Sequence, residues 1–416
     1  MKKVIYIIGV FLLAIAVLLG VVFFWFQREV SIAHTLYRQD GTYLVMFQNA
    51  MELRPTGGFL GNFAEVTVKS GQVIDYQVYN TNEFDRGKDG LEPPEVYKEM
   101  LGVNMWQLRD ANWDPDFPTT AEKIMEFYTL QGGDKDIVGV VAIDSHVLPE
   151  LLDYLGEIET ESFPDGLNSE NVLWQLQYEL NIGFLDKGLE REDRKQAFQE
   201  IFQEVLEKIK DTSWSEKREL FYLMQEWADQ KHVLVYHRDS NVQEYIDSLG
   251  WTGKINQDAQ HYFALIDANL GALKTDYVME REVHMDIQDC EQGLCYETTL
   301  KYHNTQDEAT ELTDDYVSYT RVLLPEDAVI TNIQGIGRNG QVDITKLHRR
   351  KSAGFQVIVP VGEKTEITVK YHYPQRTQQQ LYIQKQPGIK ELPISIQYNN
   401  FSTRGILTED TSTYLP

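Results

Sequence analysis

The residues with the most chemistry to offer lie in two short loops, Glu52-Leu-Arg-Pro-Thr-Gly-Gly-Phe59 and Leu108-Arg-Asp-Ala-Asn-Trp-Asp-Pro-Asp-Phe-Pro118. In the first, Arg54 stands beside Gly57 and Gly58. Glycine's freedom at positive φ lets successive backbone N–H groups converge on an anion, and a neighbouring arginine adds a bidentate fork. The same residues also suit a plain turn between two strands, with Arg54 paired to Glu52. In the second loop Arg109 is followed by Asp110, Asp114 and Asp116. Carboxylates this close suit a hard cation such as Mg2+ or Ca2+, although the spacing is not that of an EF-hand. They equally suit a helix-entry loop in which aspartates accept from backbone amides. Arg191 and Arg194 fall in the first turn of a later helix, where positive charge is unfavourable unless an anion is near. A solvated first turn is the plainer alternative. If the fold gathers these arginines, the chemistry they offer is the grip of a phosphate or pyrophosphate.

Other catalytic signatures are missing. There is no Gly-x-Ser-x-Gly elbow, no Walker loop and no His-Glu-x-x-His. His232 and His237 flank a strand five residues apart, so they face opposite sides and suit a shared metal badly.

The elements that must position the two loops follow from hydrophobic patterning. Strands are expected over 43–49, 63–69 and 72–79, bracketing the Arg54 loop, and a polar loop over 81–94. Thr119 or Thr120 can cap a helix to about 130. Residues 136–144, Asp-Ile-Val-Gly-Val-Val-Ala-Ile-Asp, read as a central strand covered on both faces. A helix from Ser145 buries Leu148, Leu151, Leu152 and Leu155. Three more helices are expected over 169–181, 191–210 and 215–230. The middle one carries Ala197, Phe198, Ile201, Phe202, Val205 and Ile209 as one apolar stripe. Strand 232–236, helix 242–249 and strand 261–266 complete an α/β unit. From residue 277 short alternating segments separated by turn residues point to an antiparallel β-sandwich.

The whole chain has 416 residues, enough for more than one core, and 42% of them are apolar, so neither disorder nor a single small domain fits. A net charge of −26 argues against nucleic acid, which requires a dense basic footprint. Only Cys290 and Cys295 are present, able to close a small loop in an oxidising compartment or to remain thiols. After Met-Lys-Lys, the run from Val4 to Phe26 carries no charge. As a helix it spans roughly 34 Å, enough for a hydrocarbon core of about 30 Å. Its end, Phe-Trp-Phe-Gln-Arg, lacks the small residues of a cleavage site, so an uncleaved anchor with an inside N-terminus is expected. The expected layout is therefore a transmembrane anchor at 1–27, an α/β domain at 28–276, the sandwich at 277–375, and C-terminal strands packed on it at 376–416.

Several stretches carry a family resemblance: Gln48-Asn49, the Glu52–Phe59 string, Leu-Arg-Asp-Ala-Asn-Trp, the strand at 136–144, and Asp267-Ala-Asn-Leu-Gly-Ala-Leu-Lys-Thr-Asp-Tyr277. These resemble the bacterial domain-of-unknown-function family 4012, which implies an anchor, this domain and a β-rich region, and no established activity. A more distant resemblance reaches the LytR-CpsA-Psr proteins, extracytoplasmic enzymes that move glycopolymers from polyprenyl-pyrophosphate carriers to the cell wall. It implies a mixed sheet with helices, a clamp made by Arg54, Arg109, Arg191 and Arg194, and Mg2+ on Asp110 or Asp116. Asn49, Gly57 and Gly58 would lie against the ligand. That family's arginine-rich pattern survives here only in pieces, such as Arg191-Glu-Asp-Arg-Lys-Gln196. The expectation is a membrane-anchored, extracytoplasmic cell-envelope protein. It is either a glycopolymer phosphotransferase acting on a lipid-linked glycan or a non-catalytic module that binds a cell-wall polymer or acts as a scaffold.

Overall fold

Alternating strands around the Arg54 loop build a mixed sheet in the computed structural model, which describes residues 39–183, 195–337, 340–374 and 380–415. The expected anchor at 1–27, Arg191 and Arg194 lie outside the described residues. Among the described residues no helix is long and apolar enough to cross a membrane. The sheet contains β1 (Gly41–Asn49), β2 (Phe59–Lys69), β3 (Gln72–Asn80), β4 (Ile137–Asp144) and β5 (Val233–His237) in the order β3-β2-β1-β4-β5. β1 pairs antiparallel with β2 and parallel with β4. Period-2 alternation gives β1 two different faces. Leu44 and Met46 pack with Phe63, Val140 and Ala142 against helix Phe117–Leu130. Phe47, Val141 and Ile143 turn the other way, towards helices Val147–Leu155, Val172–Tyr178, Lys195–Asp211 and Trp214–Asp229.

Helix starts follow local capping chemistry. Asp116, rather than Thr119 or Thr120, caps helix Phe117–Leu130 and accepts from Thr119 N at 3.2 Å, with Pro118 tolerated in the first turn. Ser213 and Glu216 form a capping box for helix Trp214–Asp229. The segment read as a polar loop contains a short helix, Thr81–Asp85, capped by Asn80, and helix Glu95–Leu101 follows it.

The rest is two facing sheets. Their strands are β6 (His261–Asn269), β7 (Met279–Cys290), β8 (Gly293–Asn304), β9 (Tyr316–Pro325), β10 (Val329–Gln334), β11 (Val342–Leu347), β12 (Arg350–Val359), β13 (Lys364–Tyr373), β14 (Gln380–Gln384), β15 (Leu392–Tyr398), β16 (Phe401–Leu407) and β17 (Thr411–Tyr414). One sheet runs β10-β13-β8-β7-β15-β16 and the other β11-β12-β9-β6-β14-β17. Cys290 and Cys295 are joined as a disulfide across the β7–β8 hairpin.

Three features depart from the sequence reading. β6, expected within the α/β unit, is a central strand of the second sandwich sheet. It is buried at every position, with Phe263 and Leu265 in the core between the sheets and Tyr262, Ala264 and Ile266 in another behind. The sandwich is not wholly antiparallel, because β14 pairs parallel with β6 and β15 parallel with β7. The C-terminal strands are therefore members of both sheets rather than a layer on top of them. The α/β unit and the sandwich also meet through polar contacts: Lys231 pairs with Asp410 at 2.6 Å, and Lys385 Nζ donates to Gln230 O at 2.8 Å.

Candidate functional site

The Glu52–Phe59 loop closes on itself through Gly57 N to Arg54 O at 2.9 Å and Phe59 N to Glu52 O at 2.9 Å. Arg54 is only 1% exposed. Its guanidinium donates to Glu52 Oε1 at 2.9 Å, to Leu53 O at 3.3 Å and to Asn269 O, and it lies 5.6 Å from the centre of the Phe59 ring. The other Glu52 oxygen pairs with Lys274. Backbone bonds extend the joint: Asn269 N to Leu53 O at 2.9 Å and Leu53 N to Asp276 Oδ2 at 2.9 Å. Gln386 Nε2 donates to Arg54 O at 3.2 Å, and the Leu53 side chain enters the sandwich core. The pairing of Arg54 with Glu52 is thus realised, and the loop clasps the α/β unit to the sandwich.

The glycines serve close approach. A Cβ on Gly58 would stand 2.3 Å from the backbone of Asn49, and one on Gly57, at φ +136°, would stand 2.8 Å from Gln48 Nε2. Gly57 N is already bonded within the turn, so it is not offered to an anion.

The second loop does meet the first. Asn112 Nδ2 donates to Gly58 O at 2.7 Å and to Gln48 Oε1 at 3.2 Å. Arg109 lies in a 3-10 turn, Leu108–Asp110, whose Leu108 and Arg109 N–H groups both donate to the Asp85 carboxylate at 3.2 Å. The Arg109 side chain is 28% exposed, 3.5 Å from Asp110 Oδ2 and 3.4 Å from Asn82 Oδ1. Burial pushes the Asp110 carboxyl up, against the opposing pull of Arg54 and Arg109. Asp116 is fully engaged: besides the helix cap it accepts from Thr119 Oγ1 at 2.8 Å and from Ile255 N at 2.9 Å. Asp114 accepts from Asp116 N at 2.9 Å and pairs with His348 at 2.7 Å. Among the described residues no group of three or more His, Cys, Asp or Glu is placed to hold a metal ion.

Asp85 provides a pH test of this loop. Burial drives its carboxyl up to about 6, so the folded chain keeps a proton that the unfolded chain releases near pH 4. The resulting stabilisation is complete below about pH 4 and is lost as pH rises through about 6, on the order of 3 kcal/mol in all. Asp85→Asn removes the titration, so the variant's melting temperature should gain on the wild type's as pH rises through that window. A constant difference between the two would show that Asp85 does not titrate there.

A further space lies on the opposite face of the mixed sheet, and sequence reasoning did not find it. A cavity of about 390 Å³ is walled by Phe47, Val141 and Ile143 from the sheet and by Leu148, Leu176, Phe198, Ile201, Phe202 and Val205 from the helices. Its walls also include amides: Asn49, Asn62, Asn80, Asn82, Gln177 and Asn181, with Lys274 beside them. Asn49 Nδ2 donates to Gln177 Oε1 at 2.9 Å, joining β1 to helix Val172–Tyr178 across this region. Arg109 reaches it through Asn82. The apolar stripe of helix Lys195–Asp211 was the available signal, but periodicity cannot say whether the space it faces is filled. Asp144, which also lines the cavity, is hydrogen-bonded to the His232 ring at Nδ1, 2.8 Å away. Burial acts to raise its carboxyl, but the His232 and His146 rings outweigh that and hold it below the usual range.

Among the sequence-predicted residues, the structure therefore brings Arg54, Arg109, Asp110, Gly57, Gly58 and Asn49 into one neighbourhood. Arg54 is closed off within it. Asp116 is at a separate helix start.

No protein of curated function matches the chain. Solved structures offer partial likenesses. A Legionella pneumophila protein described as nutrient binding is 8% identical over 29% of this chain and 50% of its own, with a TM-score of 0.19. Aminopeptidase A of the same organism is 9% identical over 32% and 17%, with a TM-score of 0.20. An M1 zinc metallopeptidase from Deinococcus radiodurans is 10% identical over 29% and 32%, with a TM-score of 0.17. The chain spans half or less of each, and superpositions this partial bear on neither fold nor activity. Residues 38–180 match a family described as protein of unknown function, DUF4012.

Proposed function

For a chain that belongs to the DUF4012 family through residues 38–180, we propose a role as a receptor for an amphiphilic lipid on the outer side of the cell membrane. The observation that carries this reading is the 390 Å³ cavity, with apolar walls from sheet and helices and a cluster of amides with Lys274 among its lining. Pockets of roughly 300–1,000 Å³ with few, well-placed polar groups are the usual form of small-molecule sites. An alkyl or isoprenoid chain gains about 0.8 kcal/mol for each CH₂ it buries there. The amides, and Arg109 behind Asn82, suit a phosphate or carboxylate head. The uncharged run from Val4 to Phe26 and the Cys290–Cys295 disulfide both support an anchored, extracytoplasmic position in the cell envelope.

Binding without catalysis is the preferred form of this proposal. A glycopolymer phosphotransferase of the LytR-CpsA-Psr kind would require several arginines to converge on a pyrophosphate, and Arg54 is held by Glu52 and Asn269. Asp116 accepts from two backbone amides and a hydroxyl, a poor start for a Mg2+ ligand, so no step is assigned to that ion. A kinship of fold with that family, and a lipid-linked glycan as the natural ligand, remain within the proposal.

The experiment is a titration of the purified chain with dansyl-labelled farnesyl phosphate. Saturable binding is expected. Ile143→Trp, which fills the cavity floor, should abolish it with the melting temperature preserved. Arg109→Ala should weaken it about tenfold, the loss of one charge-assisted hydrogen bond. Absence of saturable binding to the wild-type chain would end the lipid reading.

A further inference from the structure

A second space lies between the α/β unit and the sandwich, a cleft of about 770 Å³ with many charged side chains in its lining. It shares Leu173 with the apolar cavity as a common wall, but its chemistry is different. Its floor is the outer face of three adjacent strands. Strand register places Glu282, Lys301 and Glu366 side by side in one row across β7, β8 and β13, and Glu280, His303 and Lys364 in the next. Neighbouring strands are about 4.8 Å apart, so the first row alternates acceptor, donor and acceptor at a spacing of that order, and the second runs carboxylate, imidazole and ammonium. Glu282 and Lys301 touch at 3.5 Å and Glu280 and His303 at 3.0 Å. Lys364 and Glu366 have no side-chain partner among the described residues.

An aromatic wall stands beside this grid. Tyr277 lines the cleft and is 50% exposed; Trp174, 37% exposed, leans on it with ring centres 5.5 Å apart and planes tilted by 33°. One ring comes from helix Val172–Tyr178 and the other from the turn leading into β7, so the pair spans the two units. Two adjoining rings left partly in water beside a cleft offer a ligand an apolar platform. Their faces are apolar, and their O–H and N–H groups remain available at the edge.

We propose that this cleft binds a neutral oligosaccharide. A sugar ring has an apolar C–H face, which suits the Tyr277 ring that Trp174 backs, and hydroxyls that each donate and accept, which suit a grid carrying both carboxylates and cations. Near balance between the two signs of charge on the grid disfavours a polyanion or a polycation. The inference stands on this cleft alone and does not rest on the lipid reading.

The test titrates the full-length chain with cellotetraose, chitotetraose and maltotetraose, followed by calorimetry and by saturation-transfer NMR, with a tetragalacturonate as the anionic comparison. Binding of at least one neutral tetraose in preference to the anionic one is expected. Tyr277→Ala should weaken that binding at least tenfold, and Tyr277→Phe, which keeps the ring, should restore it. Should Tyr277→Ala fail to fold, Glu366→Gln together with Lys364→Gln is the substitute, and it should weaken binding with the melting temperature held. Ile143→Trp, which fills the apolar cavity, should leave sugar binding unchanged, so failure of the lipid reading and failure of this one are separable. No binding of any neutral tetraose at millimolar concentration, preference for the anionic one, or binding indifferent to these substitutions would overturn the proposal.

Discussion

Arg54→Ala is expected to lower the melting temperature of the chain by at least about 6 °C. The guanidinium is buried and bonds to Glu52 Oε1, Leu53 O and Asn269 O. Its removal strips one partner from a buried carboxylate and a donor from Asn269 O, while Leu53 O keeps its bond from Asn269 N. Breaking a buried pair in this way costs roughly 3–5 kcal/mol, and each kcal/mol moves the transition of a large domain by about 2–4 °C. Lys274 remains beside Glu52 and limits the damage without restoring the bond to Asn269. Arg109→Ala is the comparison. Its pair with Asp110 is partly exposed, so a clearly smaller loss of stability is expected there, together with weaker lipid binding. Calorimetry of both variants decides the matter. If Arg54→Ala kept its melting temperature and lost only ligand binding, Arg54 would belong to the site after all.

Gly388→Ala is expected to have a comparable effect by a different route. Gly388 has φ +81°, and a Cβ there would stand 2.0 Å from Gly57 O and 2.6 Å from Gly57 C, both backbone atoms that cannot swing aside. The contact also positions Gly388 O for His146 Nε2 at 3.1 Å and, two residues earlier, Gln386 for Arg54 O. Relief requires the 386–389 segment and the Arg54 loop to separate, which loosens the sandwich from the α/β unit. Gly250→Ala isolates the backbone contribution, since Gly250 is left-handed at φ +83° with nothing within 4 Å of a Cβ. That variant should lose only about 1–2 kcal/mol, the cost of a left-handed residue. Gly388→Ala should lose clearly more, and its calorimetric transition should broaden or split as the two units melt separately. Equal losses in the two variants would mean the contact with Gly57 yields freely.

What the sequence disclosed and what it withheld divide along chain distance. Arg54 and Glu52 are two residues apart, and their pairing was legible as one of the alternatives for that loop. Asn269 and Gln386, which complete the clasp, lie 215 and 332 residues away, and no local pattern names them. The aspartates of the second loop were legible as acceptors of backbone amides, and Asp116 fills that role. Helix Lys195–Asp211 was plain from its stripe, yet the stripe reports only which side avoids water, so the cavity in front of Phe198 and Phe202 was not. β6 was found as a strand but credited to the wrong neighbours, because a continuous apolar run looks the same in any sheet that covers both its faces. The parallel pairings of β14 with β6 and β15 with β7 depend on crossovers that hydrophobic periodicity does not encode.

The parallel partnership of the last strands with β6 and β7 also sets an order of events during synthesis. Chains emerge from the ribosome N-terminus first, at about 5–20 residues per second. The Arg54 loop is made early, yet Gln386 is translated 332 residues after it, and β14 and β15 follow β6 and β7 by more than a hundred residues. For roughly 15 s or more at those speeds the nascent α/β unit carries an uncapped clasp, and for roughly 6 s or more β6 and β7 present unpaired edges. A ribosome that stops short of β14 releases a chain with two open sheet edges, a species that quality-control proteases and chaperones are built to recognise.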